Sequence, residues 1–208
     1  NEPGAHTVAD MENVSKWWID HYFKTDSYYK DEQGRPLVVI WEWTNLERDF
    51  RKIVGKADMR AGEGLKHALD ITRRLAKEAG LPGVRFANGG RPKPEQMAAL
   101  KLAGIEEMFQ YNFAWPNQVR AGLSPERCKE WDANPQWWKS PWHYDFVWSR
   151  EASMGWWKKN WVAGDIPFWP TLPTGWNSTP RDFGVANYVT KRTPEEFRKV
   201  CEDAKRFC

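Results

Sequence analysis

Five consecutive apolar residues, Leu37-Val38-Val39-Ile40-Trp41, constrain the fold more than any other stretch. A strand with one wet face alternates apolar and polar side chains. A run without alternation predicts a strand over 37–41 buried on both faces, as in a parallel sheet covered by helices. A turn, Asp31-Glu32-Gln33-Gly34-Arg35-Pro36, precedes it, and Glu42-Trp43-Thr44-Asn45 ends it.

The flanking segments fit that sheet. Asp10 is placed to cap a helix over 11–24, with Val14, Trp17, Trp18, Ile19, Tyr22 and Phe23 as its apolar stripe. Residues 46–60 read as irregular and charged, with room for a short helix. Leu65, Ala68, Leu69, Thr72, Leu75 and Ala76 recur at helical spacing, which predicts a helix over 62–79 stopped by Gly80. A strand follows at 84–87, ending in Asn88-Gly89-Gly90. Pro94 starts a helix that ends near Gly104, and a strand is expected over 105–111. A long irregular excursion, 116–147, is dense in Trp, Pro and Asn. Next come a helix over 149–160, a strand over 166–169, a second irregular loop, and a last helix over 194–207 opened by Thr193-Pro194-Glu195-Glu196.

This alternation predicts an α/β fold with a parallel sheet. Four strands with helices between them make half of an eight-stranded barrel, or a small open sheet. The expectation is a partial or reduced TIM-like (β/α)8 barrel with parallel strands and long Trp-rich loops. Residues 1–208 would be a single domain that is part of a larger barrel, because 208 residues is short for a complete one.

Composition narrows the function. Fifteen tryptophans exceed what one core normally absorbs, so some are expected to line an open groove. The alternative is a core that uses Trp where others use Leu. The formal charge of +3, from 31 basic and 28 acidic residues, is too balanced for a nucleic-acid footprint. No apolar stretch is long enough to span a membrane, and no signal peptide is visible. The chain opens at Asn1 without Met and so reads as processed or cut from something longer, which leaves a secreted or cell-surface location open. Cys128, Cys201 and Cys208 lack metal-ligand spacing, and no metal or cofactor is expected.

In either architecture ligands meet the carboxyl ends of the strands. Those ends carry Glu42, Trp43 and Asn45, then Asn88, then Tyr111 and Asn112, then residues 173–181. The last group includes Trp176, Asn177, Ser178, Thr179 and Arg181. Aromatic faces, an amide, hydroxyls and a guanidinium can together hold a ligand with apolar faces and polar edges, as a sugar has. Glu42 is the best candidate for an acid–base carboxylate. The other reading is a salt-bridged rim residue. Glu106 and Glu107 are adjacent, so a strand turns at most one inward; Asp145, Glu151 and Asp165 are further partners. Arg181 is a hydroxyl or carboxylate clamp, or a structural ion pair. Asn88 and Asn112 read hydroxyls or cap turns, and Tyr111 contacts ligand or packs in the core. Trp142 and His143 are wall candidates in the excursion, with no nearby second His or Cys to make His143 a metal ligand. His21 reads as structural.

Several motifs carry a family resemblance. They are His21-Tyr22-Phe23-Lys24 with Tyr28-Tyr29, Gly34-Arg35-Pro36-Leu37-Val38-Val39-Ile40, Ala79-Gly80-Leu81-Pro82-Gly83, Tyr111-Asn112-Phe113, Gly175-Trp176-Asn177-Ser178-Thr179-Pro180-Arg181, and Arg192-Thr193-Pro194-Glu195-Glu196-Phe197. In order and spacing the chain resembles the middle and later part of the WbsX-like proteins, relatives of glycoside hydrolase family 99. The resemblance implies a (β/α)8 barrel acting on polysaccharides or glycans. Asn177 stands where the family's Trp-Asp-Asn-Thr-Arg-like run has its acid. The family's Asn-Glu-Trp-x-Glu-like strand, with its catalytic carboxylates, would follow the last helix, and this chain ends at Cys208 before it. The expected function is therefore glycoside hydrolase-like, with Glu42 near the site and the main acids outside this chain. Its partners would be an oligosaccharide or polysaccharide and the remainder of the barrel. The alternatives are a non-catalytic carbohydrate-binding domain, a purely structural barrel fragment, and a glycosyltransferase. Against the last stands the lack of an Asp-x-Asp pair and of a nucleotide cradle.

Overall fold

The apolar run forms a strand, β1 (Leu37–Ile40), in a computed structural model that describes residues 5–89, 94–109, 115–160, 166–175, 177 and 187–208. Beside it lie β2 (Arg85–Asn88) and β3 (Glu107–Phe109), all parallel, with Ile40 opposite Asn88 and Ala87 opposite Glu107. A short fourth strand, Phe168–Trp169, borders β3, and the backbone N–H of Met108 donates to the Pro167 carbonyl. The α/β alternation with parallel strands is as expected. No closure of this sheet into a barrel is seen among the described residues.

One part of the β1 expectation is corrected. Val38, Ile40, Phe86 and Met108 are buried on one face, but Val39 on the other is 44% exposed. Elements stacked on a sheet cover its faces, and an apolar run cannot tell whether both faces are covered. The Val39 face also carries Arg85 and Glu107, a buried ion pair across β2 and β3. Asp31 extends it, lying 3.8 Å from Arg85 and pairing with Arg35 at 2.8 Å, and Arg35 also pairs with Glu106 at 3.1 Å.

The chain divides into two units, Asn1–Phe109 with Gly164–Phe168, and Gln110–Ala163 with Trp169–Cys208. In the first, α1 (Val8–Trp18) is capped by Thr7, three residues earlier than expected. Asp10 serves as the reciprocal partner of the capping box. The helix continues into a π-helical turn, Ile19–Phe23. The short helix allowed for within 46–60 is present as α2 (Thr44–Val54). Its buried residues are Leu46, Asp49 and Phe50; the acid at a core-facing position broke the apolar pattern. α3 (Glu63–Glu78) buries the six residues that its spacing singled out. Glu47 of α2 caps it from outside, accepting from the backbone N–H groups of Gly62 (3.0 Å) and Leu65 (2.6 Å). At the far end of α4 (Met97–Ala103), Arg73 of α3 donates to the carbonyls of Ala103 and Gly104.

In the second unit the excursion at 116–147 is mostly regular structure. It contains α5 (Pro116–Gly122), α6 (Pro125–Asp132), a 3₁₀ turn at Pro135–Trp137 and β4 (His143–Asp145). Both helices begin with proline, whose missing N–H is harmless at a first helical turn, so the Pro density that reads as loop marks helix starts. α7 (Phe146–Asn160) follows directly. With the short strand Phe168–Trp169 as β5, the last strand is β6 (Tyr188–Thr190), which pairs parallel with β4. α8 (Pro194–Phe207) ends the chain as expected.

The core of this unit is built from indoles. Trp131 meets Tyr144 and Trp148 edge-on at 5.2 and 5.5 Å, and the Arg127 guanidinium lies 3.8 Å from the Trp148 ring. Trp43, Trp131, Trp142, Trp148, Trp156 and Trp157 are buried, while Trp17, Trp41, Trp115, Trp138 and Trp169 stay exposed. Six of the fifteen tryptophans thus fill cores, as in the reading where Trp stands in for Leu.

Two predictions follow from this packing. α5 and α7 touch backbone to backbone, and a Cβ at Gly155 would run into the Gly122 carbonyl. Gly155→Ala should lower stability by roughly 1–3 kcal/mol despite alanine's better helix propensity, read as a reduced denaturant midpoint with unchanged m. The second concerns Asp49, which is buried and bonded by Arg48 Nε (2.9 Å) and the His6 N–H (3.0 Å), with His6 Nδ1 2.9 Å away. These bonds, that of Arg48 foremost, hold its carboxyl far below the usual range. A depressed folded pKa stabilises fully above the unfolded value of about 3.9 and is lost as pH falls below it. Stability of the wild type should thus drop more steeply in acid than that of Asp49→Asn; parallel pH profiles would refute the assignment.

Candidate functional site

The carboxyl edge of the four-stranded sheet is where β1 and β2 deliver their candidate residues. The strand stops at Ile40; beyond it Trp41 is 56% exposed, Glu42 is exposed, and Trp43 is buried. Trp43 anchors the turn, its carbonyl accepting from the Glu47 N–H at 2.9 Å inside the first turn of α2. Glu42 Oε1 accepts from the Thr44 backbone N–H at 2.9 Å and from the Thr44 hydroxyl. The carboxylate thus caps the amino end of α2. Oε2 takes no part in this cap.

The end of β2 is tied to the same edge, because the Gly89 N–H donates to the Ile40 carbonyl at 2.9 Å. A Cβ at Gly89 would press on Val39 Cγ1 at 2.9 Å, so only glycine lets the two strand ends come this close. Asn88 pairs with Ile40 and is fully buried, within the sheet's covered face. The structure therefore brings Glu42, Trp43 and Asn88 to one edge but leaves Glu42 and Trp41 as its exposed groups. Trp41 is absent from the sequence-derived candidates. The signal was its position at the end of the apolar run.

Tyr111, Asn112, Trp176 and Arg181 lie outside the described residues, as does Asp165. In the second unit, Trp142 is buried, stacked on Tyr144 at 5.3 Å, and its backbone N–H donates to Asn187 Oδ1 at 2.8 Å. His143 is exposed and stacks on Tyr188 at 5.5 Å. Asn177 forms an antiparallel bridge to the same Tyr188. Trp142, His143 and Asn177, from two separate loops of the sequence reading, thus share one locality around β4 and β6.

The other candidate carboxylates are engaged by cations. Glu106 pairs with Arg35, Glu107 with Arg85, and Glu151 with Arg127 at 2.7 Å. Burial works to raise Asp145, but bonds from Lys191 (2.8 Å) and Thr190 (2.6 Å) outweigh it and hold the carboxyl below its ordinary value. Among the described residues no group of three or more His, Cys, Asp or Glu could hold a metal ion, and no helix is long and apolar enough to cross a membrane. Compared with family models, curated proteins and solved structures, the chain finds no match.

The cap separates structure from chemistry at Glu42. Glu42→Gln keeps an oxygen for Thr44 and should leave stability near wild type. Glu42→Ala should lose about 1 kcal/mol, the usual worth of a side-chain cap. Equal stability of all three proteins in denaturant titrations would show that the cap is inconsequential.

Proposed function

We propose that this chain is a glycoside hydrolase-like unit that binds a polysaccharide or glycan at the carboxyl edge of its parallel sheet, as part of a larger (β/α)8 barrel. One observation carries the reading: an indole, Trp41, 56% exposed, directly precedes an exposed and locally positioned carboxylate, Glu42, at the strand end where α/β folds take their ligands. A pyranose ring has an apolar C–H face that suits an indole and a hydroxyl edge that suits a carboxylate. The sequential neighbour order β1-β2-β3-β5 supports the barrel part, and so does apolar Val39, exposed on a face that a closed barrel would fill. The motifs shared with the WbsX-like proteins name the reaction class.

A second reading, glycan binding without cleavage, is favoured by the pairing of Glu106, Glu107, Asp145 and Glu151 with Arg or Lys. Glycosidic hydrolysis needs two carboxylates across the bond, one of them able to donate a proton. Titration with a panel of neutral oligosaccharides, followed by a reducing-end assay, separates the two. Trp41→Ala should weaken binding about tenfold, near 1.4 kcal/mol. Glu42→Gln should retain binding and lose product release if hydrolysis occurs. Binding with no product from any glycan leaves the binding reading; no binding at all overturns both.

A further inference from the structure

We propose a second ligand site, at the carboxyl ends of α7 and α8, that takes a small carboxylate carrying an apolar chain. A cavity of about 410 Å³ lies there, lined by Met154, Lys158, Arg206 and Phe207. That volume falls in the range of small-molecule sites. All four residues belong to the second unit and none to the β1 edge.

The two helices run side by side in the same direction. Arg150 Nε pairs with Glu196 at 2.6 Å near their starts, and the Phe207 ring lies 5.7 Å from that of Trp157 near their ends. The basic residues of both last turns are thereby gathered: Lys158 and Lys159 on α7, Lys205 and Arg206 on α8. Cations at helix ends ordinarily offset the carbonyls there. Beyond that role, their individual partners differ. Lys159 Nζ donates to the Ala121 carbonyl, and Arg206 Nη2 donates to Asp203 Oδ1. Glu202 is held by Arg198. Lys158 is exposed, and its ammonium has no acceptor among the described residues. One carboxylate, Asp203, set against two lining cations leaves a positive excess at the cavity. The guanidinium of Arg206 also keeps N–H groups outside its bond to Asp203.

The rest of the lining is apolar. Met154 and Phe207 are half-buried, so each keeps surface for a ligand. The unbranched thioether of Met154 adapts its shape to an apolar chain laid along it. A carboxylate at the end of that chain meets Lys158 and Arg206. A wholly apolar ligand would take water from the Lys158 ammonium and give it no acceptor. A small anion without a chain would gain only an exposed ion pair, which is worth little by itself. The cavity thus selects for both parts in one molecule.

The test titrates octanoate into the whole chain. The comparisons are 1-octanol, with the same chain length and no charge, and acetate, with the charge and no chain. NMR of methyl-labelled methionine follows Met154, assigned with Met154→Leu. Octanoate should shift the Met154 methyl resonance and bind at least about tenfold more tightly than either comparison. Lys158→Gln should weaken octanoate binding about fivefold or more. Circular dichroism checks that this variant is folded; Arg206→Gln, also on the surface, repeats the test if it is not. The proposal is overturned if octanoate leaves the Met154 methyl unmoved, if 1-octanol or acetate binds as tightly as octanoate, or if the folded variant keeps wild-type affinity.

Discussion

Glu47 is the group on which the first unit depends. It stands on α2 and reaches the amino end of α3, where its two oxygens take the N–H groups of Gly62 and Leu65. Those donors have no intrahelical acceptor, so the carboxylate satisfies groups that would otherwise need water. Arg51 braces it from the next turn at 3.3 Å. Gly64 lets the helices approach, since a Cβ there would strike the Glu47 carbonyl. Because α2 starts immediately after Trp43, locking α2 against α3 also sets the turn that presents Trp41 and Glu42.

The sheet has two unlike faces for a related reason. Val38, Ile40, Phe86 and Met108 are enclosed, while the opposite face mixes exposed Val39 with the buried Arg85–Glu107 pair. A buried ion pair is a weak source of net stability, because desolvating two charges offsets most of their attraction. Its effect here is to occupy both partners, removing Glu107 from the acid–base candidates. The exposed Trp41 and Glu42 are thus singled out by subtraction as well as by position.

In the second unit, close packing of two glycines lets α5 and α7 meet without side chains between them, and indoles fill the space around that crossing. Trp131 is central to that packing. Its ring is core, packed on Tyr144 and Trp148.

Long periodic segments were legible in the sequence. The α3 spacing, the β1 run, the parallel alternation and the last helix all rest on local pattern, because helix and strand periods place apolar side chains on one face whatever the partner. The excursion at 116–147 was not legible, since its helices are short, start with proline and are held by indole packing from distant positions. Strand β6 was missed for the same kind of reason: its three residues gain strand form by pairing with β4, over 40 positions earlier. For the site, sequence alone placed Glu42, Trp43 and Asn88 at strand ends. Only the tertiary structure decided that Trp43 and Asn88 are enclosed while Trp41 and Glu42 face outward, because exposure depends on which elements cover a position.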